Sequence, residues 1–135
     1  MRRLPPLVIA ITLVFSLRGG AAFAADRDDL TAYRGLGTWV DVYEYVPALQ
    51  KAHRKPPVTP SDVDKMKDHG VKTLYLQSAQ DDSRTPGATV TPKLLGQFLE
   101  RAHDAGLRVV GWYLPHFDDL DADLRHIRGL LDFRS

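Results

Sequence analysis

One pattern constrains this chain more than any other, and it occurs three times. A stretch rich in β-branched and aromatic residues is followed by a loop, then by an amphipathic segment with helix-start signals. The three stretches, residues 37–43, 71–77 and 107–114, begin about 35 residues apart. That is the length of one βα unit. Repeated strand–helix–strand order demands right-handed crossovers and parallel strands. The residues themselves do not repeat, so the period belongs to the architecture alone.

The amphipathic segments carry matching signals. Thr59-Pro60-Ser61-Asp62 offers a cap, a proline at the first helical position and an acid three residues after the cap. Thr91-Pro92 repeats the cap-plus-proline opening, and Leu94, Leu95, Phe98, Leu99, Ala102 and Ala105 follow at helical spacing. Gly70 and Gly106 stand where left-handed caps would end the first two helices. In a third helix, about 120–133, Leu120, Leu124, Ile127 and Leu131 share one face. Connections from helix to strand are almost nil. Those from strand to helix are long: 44–59, 78–91 and 115–119. In β/α folds the loops after the strands carry the site.

Parallel strands need cover on both faces, and three of them leave two open edges. The expected fold is therefore α/β, of the (β/α)8 TIM-barrel type, with its first three βα units present. An open doubly wound parallel sheet is the alternative. Open edges also favour self-association of the chain.

Residues 1–24 read as a secretory signal peptide. Arg2 and Arg3 precede an apolar run over 7–17, and Ala22-Phe23-Ala24 supplies a small-x-small site with cleavage after Ala24. That run is about half of the ~20 residues a spanning helix needs. The expectation is a secreted protein with no stable membrane span after processing; Arg2-Arg3 leaves general and twin-arginine export both open. Residues 25–36 form a lead-in segment and 37–135 the domain. Removing the three arginines of residues 1–24 from the 18 basic side chains leaves 15 against 17 acids. Such a balance gives no electrostatic footprint for nucleic acid. Cysteine is absent, which excludes disulfides, thiolate metal sites and a cysteine nucleophile. No Walker loop, nucleophile elbow, zinc-protease pair or dinucleotide fingerprint occurs, so no cofactor is expected.

Three phrases together carry a resemblance. Gly35-Leu36-Gly37-Thr38-Trp39-Val40-Asp41-Val42-Tyr43, His69-Gly70-Val71-Lys72-Thr73-Leu74-Tyr75-Leu76-Gln77, and Ala102 through Pro115 resemble the opening units of secreted bacterial glycoside hydrolase-like proteins with a TIM-barrel fold. The likeness spans about residues 35–133. It implies a protein acting on a polysaccharide or oligosaccharide, with a fourth strand ending in acids in a chain about twice this length. This chain stops before such a strand. The expectation is an N-terminal portion lacking part of the catalytic site, with hydrolysis of O-glycosyl bonds left open. The alternative is a non-catalytic carbohydrate-binding module or inactive remnant.

Glycoside hydrolysis needs two carboxyl groups facing each other across the bond. Glu44 and Glu100 are the only glutamates, and Glu100 falls within a helix. Asp41 lies at the end of the first stretch, where a carboxylate without partners is costly. It is the catalytic candidate, or else an acceptor of hydrogen bonds at the strand ends. By alternation Trp39, Asp41 and Tyr43 share a face, as do Thr73, Tyr75 and Gln77. Sugar C–H faces pack on flat rings, while tyrosine and tryptophan keep a polar handle. Tyr43, Glu44, Tyr75, Gln77, Trp112 and His116 are accordingly the substrate-binding candidates. Trp112 and Tyr113 must face opposite sides, so at least one of them is structural. The acid run from Asp118 to Asp123 fails as a calcium loop, since Leu124 and Leu130 stand where glycine and glutamate are required. It fits the first turn of a helix instead, and no metal is expected.

Overall fold

The computed structural model describes residues 27–51 and 54–134. The signal peptide and its cleavage site lie outside the described residues, as does Ser135. No helix among the described residues is long and apolar enough to cross a membrane.

The chain is an α/β protein. Its strands β1 (Gly37–Val40), β2 (Thr73–Gln77) and β3 (Arg108–Trp112) form a parallel sheet in that spatial order. Thr73 pairs with Gly37 on one side and Arg108 on the other, and Tyr75 pairs with Trp39 and Val110. Among the described residues four α-helices accompany the sheet: α1 (Val42–Tyr45), α2 (Asp62–Asp68), α3 (Pro92–Asp104) and α4 (Leu120–Asp132).

Register divides the sheet into two unlike faces. Val40, Leu74, Leu76 and Val109 occupy one, and the first three are buried against Val63 of α2 and Leu95, Phe98 and Ala102 of α3. Phe98 is fully buried and meets the Tyr45 ring edge-on at 5.1 Å. Each such apolar side chain contributes roughly 1.5–3 kcal/mol by leaving water. α4 lies on this same side, with Leu130 and Leu131 beside Val109 and Gly111. Trp39, Thr73, Tyr75, Gln77, Val110 and Trp112 occupy the other face. The lead-in forms a 3-10 helix, Arg27–Tyr33, beneath the amino ends of the strands. There Thr73 Oγ1 donates to the Ala32 carbonyl at 2.6 Å.

The helix signals hold in part. The Asp62 carboxylate accepts from the backbone amide of Thr59 at 2.9 Å and from its hydroxyl at 2.7 Å. Lys65 and those bonds hold its pKa down at about 2. Gly70 and Gly106 adopt φ of +83° and +72°, and the next residues return amides to Met66 and Ala102. Only glycine takes that conformation without cost, which is why both helices stop there. Thr91 differs from expectation: its side chain caps nothing and its φ is +34°.

One reading needs correction. β1 ends at Val40 and not at Tyr43, because Asp41 and Glu44 build a capping box that starts α1. Alternation cannot run through a helical turn, so Trp39, Asp41 and Tyr43 do not share a strand face. In α4 Leu120, Leu124, Ile127 and Leu131 do share one face, and that face is the exposed one. Leu120 is 68% and Leu131 71% exposed, while Ala122, Asp123 and His126 are buried. His126 turns the helix this way by bonding through Nδ1 to the Ala88 carbonyl at 3.0 Å, in the loop after β2.

Candidate functional site

The carboxyl ends of the strands open into a cleft of about 290 Å³. Asp41 and Tyr43 reach it from the turn after β1, Gln77 and Gln80 from the end of β2, and Trp112, Leu114 and His116 from the end of β3. Five expected site residues therefore meet there: Asp41, Tyr43, Gln77, Trp112 and His116. Glu44 and Tyr75 do not line it. Gln80 and Leu114 do, although no motif marked them.

Asp41 is held by its own turn. Oδ1 accepts from the Tyr43 amide at 2.7 Å, and Glu44 Oε2 accepts in return from the Asp41 amide at 3.0 Å. The acid expected to be catalytic and the one expected to bind substrate thus satisfy backbone donors first. Glu44 is the reciprocal member of that box and does not line the cleft. Asp41 keeps Oδ2 without a partner among the described residues, and that oxygen belongs to a side chain lining the cleft.

Tyr75 has a different place from the one expected. It stacks on Trp39 with ring centroids 4.5 Å apart and planes within 10°. Trp112 meets Trp39 edge-on at 5.6 Å, and Tyr33 approaches Tyr75 at 6.2 Å. Such ring pairs are worth ~0.5–1.5 kcal/mol each beyond their burial. A Cβ at Gly37 would come within 2.5 Å of the Tyr75 ring, so glycine is what lets Tyr75 lie flat beside Trp39. The result is an aromatic platform on the face opposite α2 and α3, with Trp39 63% exposed. Trp112 joins platform and cleft. Its Nε1–H is buried with no acceptor among the described residues, an arrangement that costs ~1–3 kcal/mol.

The opposite parity of Trp112 and Tyr113 holds. Tyr113 turns to the helix side, rests on the His126 ring at 5.0 Å and donates its hydroxyl to Asp123 at 2.5 Å. Burial, then this bond to an anion, pushes the Tyr113 phenol upward. The bond lowers the Asp123 carboxyl in turn, helped by the amides of Phe117 and His116 and opposed by desolvation. Asp123 thereby fixes the loop that presents His116. Its neighbour Asp119 caps α4 by accepting from the Ala122 amide at 3.0 Å. The acid run is structural, and no group of three metal-ligating side chains exists among the described residues. His116 sits at the rim with Nδ1 3.9 Å from Asp81.

Chemically the cleft offers one carboxylate, one phenol, two amides and one imidazole beside flat apolar rings. Comparison with known proteins adds nothing to this inventory: no family model, no curated protein and no solved structure matches the chain.

Proposed function

We propose that this is a secreted, glycoside hydrolase-like protein whose cleft binds a polysaccharide or oligosaccharide. The carrying observation is the convergence of Asp41, Tyr43, Gln77, Trp112 and His116 at the carboxyl ends of parallel strands, next to the Trp39–Tyr75 platform. Stacking rings and short-range polar groups in one concavity suit a sugar, which has an apolar C–H face and a polar perimeter. On this reading the sheet is the opening arc of a (β/α)8 barrel. Having α2, α3 and α4 on one side of the sheet favours that over a doubly wound sheet, which carries helices on both sides. Residues 1–24 direct export, and a mature amino terminus at Ala25 by mass spectrometry is the matching result.

The non-catalytic form of this function has its own support. Hydrolysis needs a pair of carboxyl groups, and Asp41 is the one acid lining the cleft among the described residues. Glu44 is engaged in the turn. We therefore read the cleft as a binding site, with Asp41 as its acceptor, and hydrolysis as dependent on a second carboxyl from outside it. Calorimetric titration of the full chain against a panel of oligosaccharides, with reducing-end release measured in parallel, tests both statements. Saturable binding without release is expected. Absence of binding to any glycan overturns the reading, and turnover by this chain overturns its non-catalytic form.

A further inference from the structure

A chain of hydrogen bonds runs through the cleft, and one end of it cannot be reversed. Val42 opens α1, and its backbone amide is an unpaired donor of a helix start. It donates to Gln77 Oε1 at 3.3 Å. A backbone N–H can only donate, so Gln77 must turn its oxygen that way and its Nε2 the other. Gln77 Nε2 then donates to Gln80 Oε1 at 3.1 Å, and Gln80 Nε2 donates to Tyr43 Oη at 2.8 Å. Tyr43 Oη is an acceptor within the protein. Its own proton is left for whatever enters the cleft.

Asp41 has the opposite character. Oδ1 is taken by the Tyr43 amide, and a carboxylate oxygen such as Oδ2 accepts without donating. The cleft thus presents a fixed donor and a fixed acceptor, two residues apart in sequence. A further acid, Asp81, stands at the His116 rim. The nearby Arg84 guanidinium is paired with Asp82 through two bonds of 2.9 and 2.7 Å, so its charge is matched by that carboxylate. A sugar bearing carboxylate or sulfate would meet like charge here.

Resting on the carbohydrate reading above, we infer that the cleft selects an uncharged sugar and excludes uronic-acid and sulfated glycans. One sugar oxygen accepts from Tyr43 Oη, and a hydroxyl of the same sugar donates to Asp41 Oδ2. Gln77 and Gln80 are positioning residues, which set the direction in which Tyr43 donates.

Gln80→Glu is the discriminating variant. It keeps the size of the side chain and still accepts from Gln77 Nε2, but it cannot donate to Tyr43. The phenol proton then turns to the introduced carboxylate, and Tyr43 offers the sugar only a lone pair. On the full chain, Tyr43→Phe and Gln80→Glu should each weaken binding of cellotetraose or maltotetraose by about ten-fold, the loss of roughly one hydrogen bond. Wild type should bind tetragalacturonic acid at least about ten-fold more weakly than the neutral tetrasaccharide it prefers. A ligand-free readout accompanies these titrations. Tyr43→Phe should move the Gln80 side-chain amide resonances in a ¹H–¹⁵N spectrum and leave those of Gln77 in place. Neutral-glycan binding with unmoved Gln80 resonances overturns this inference alone, as does equal affinity for the galacturonide. Moved resonances with no binding of any glycan overturn the carbohydrate reading, and with it the ligand assigned here.

Discussion

Asp41 has two duties in this structure, and substitution separates them. As the first residue of the capping box its Oδ1 satisfies the Tyr43 amide; as a residue lining the cleft it keeps Oδ2 for the ligand proposed above. Replacing a capping aspartate by alanine costs ~0.5–2 kcal/mol. Here the freed amide is exposed and water can take the lost bond, which places Asp41→Ala near ~1 kcal/mol. For a domain of this size that lowers Tm by roughly 3–5 °C. Asparagine caps as well as aspartate, so Asp41→Asn should melt within about 1–2 °C of wild type. Its amide nitrogen, however, takes the position of Oδ2 and turns an acceptor into a donor. Asp41→Asn should therefore keep wild-type stability and lose oligosaccharide binding, while Asp41→Ala loses binding and melts lower by the few degrees given above. Thermal denaturation followed by circular dichroism, paired with calorimetric titration, measures the two effects side by side. If Asp41→Asn binds as well as wild type, the carboxylate serves the turn alone. If Asp41→Asn melts as low as Asp41→Ala, the capping account fails.

Phe98→Ala should cost about 3–5 kcal/mol, since it empties a fully buried site between Tyr45 and the sheet; chemical denaturation with an unchanged m-value checks it. The Asp123 carboxyl is held below its unfolded value of about 3.9. Its stabilisation is therefore complete above that pH and is lost as pH falls through the folded value. Urea midpoints between about pH 5 and 2.5 should decline more steeply for wild type than for Asp123→Asn; parallel curves would refute the assignment. The exposed leucine face of α4 and the free edges of β1 and β3 predict self-association. Sedimentation velocity should show mass rising with concentration, and a single monomeric species at all concentrations contradicts that.

The strands were legible because their residues are β-branched and aromatic and alternate between two unlike faces: Leu74 and Leu76 meet the helices while Thr73, Tyr75 and Gln77 face the other way. The α2 and α3 boundaries were legible for a local reason, the obligate backbone conformation at Gly70 and Gly106. What misled was overlap between two short-range codes. Asp41-Val42-Tyr43-Glu44 fits strand alternation and also the spacing of a capping box, and reciprocal bonds to two backbone amides decide for the helix. The spacing of Asp41 and Glu44 was the available signal. For α4 the periodicity identified the helix, but its orientation depends on His126 reaching Ala88, 38 positions away. No local pattern encodes that contact. Gln80 was invisible for the same reason, because its importance comes from Tyr43 and Gln77 meeting across a loop.

The order β1-β2-β3 with every strand parallel makes the two borders of the sheet unlike each other. A twofold axis would set β3 against β3 of a second copy, or β1 against β1, and either pairing would run antiparallel. Continuing the parallel register requires β3 of one copy beside β1 of the next, a heterologous joint that consumes one border and leaves another free. Three-stranded sheets like the one the described residues form cannot add up to an eight-stranded ring. An assembly made through these borders in parallel register would thus have polarity and no natural stopping number short of a differently sized ring, whereas an antiparallel joint would stop at two.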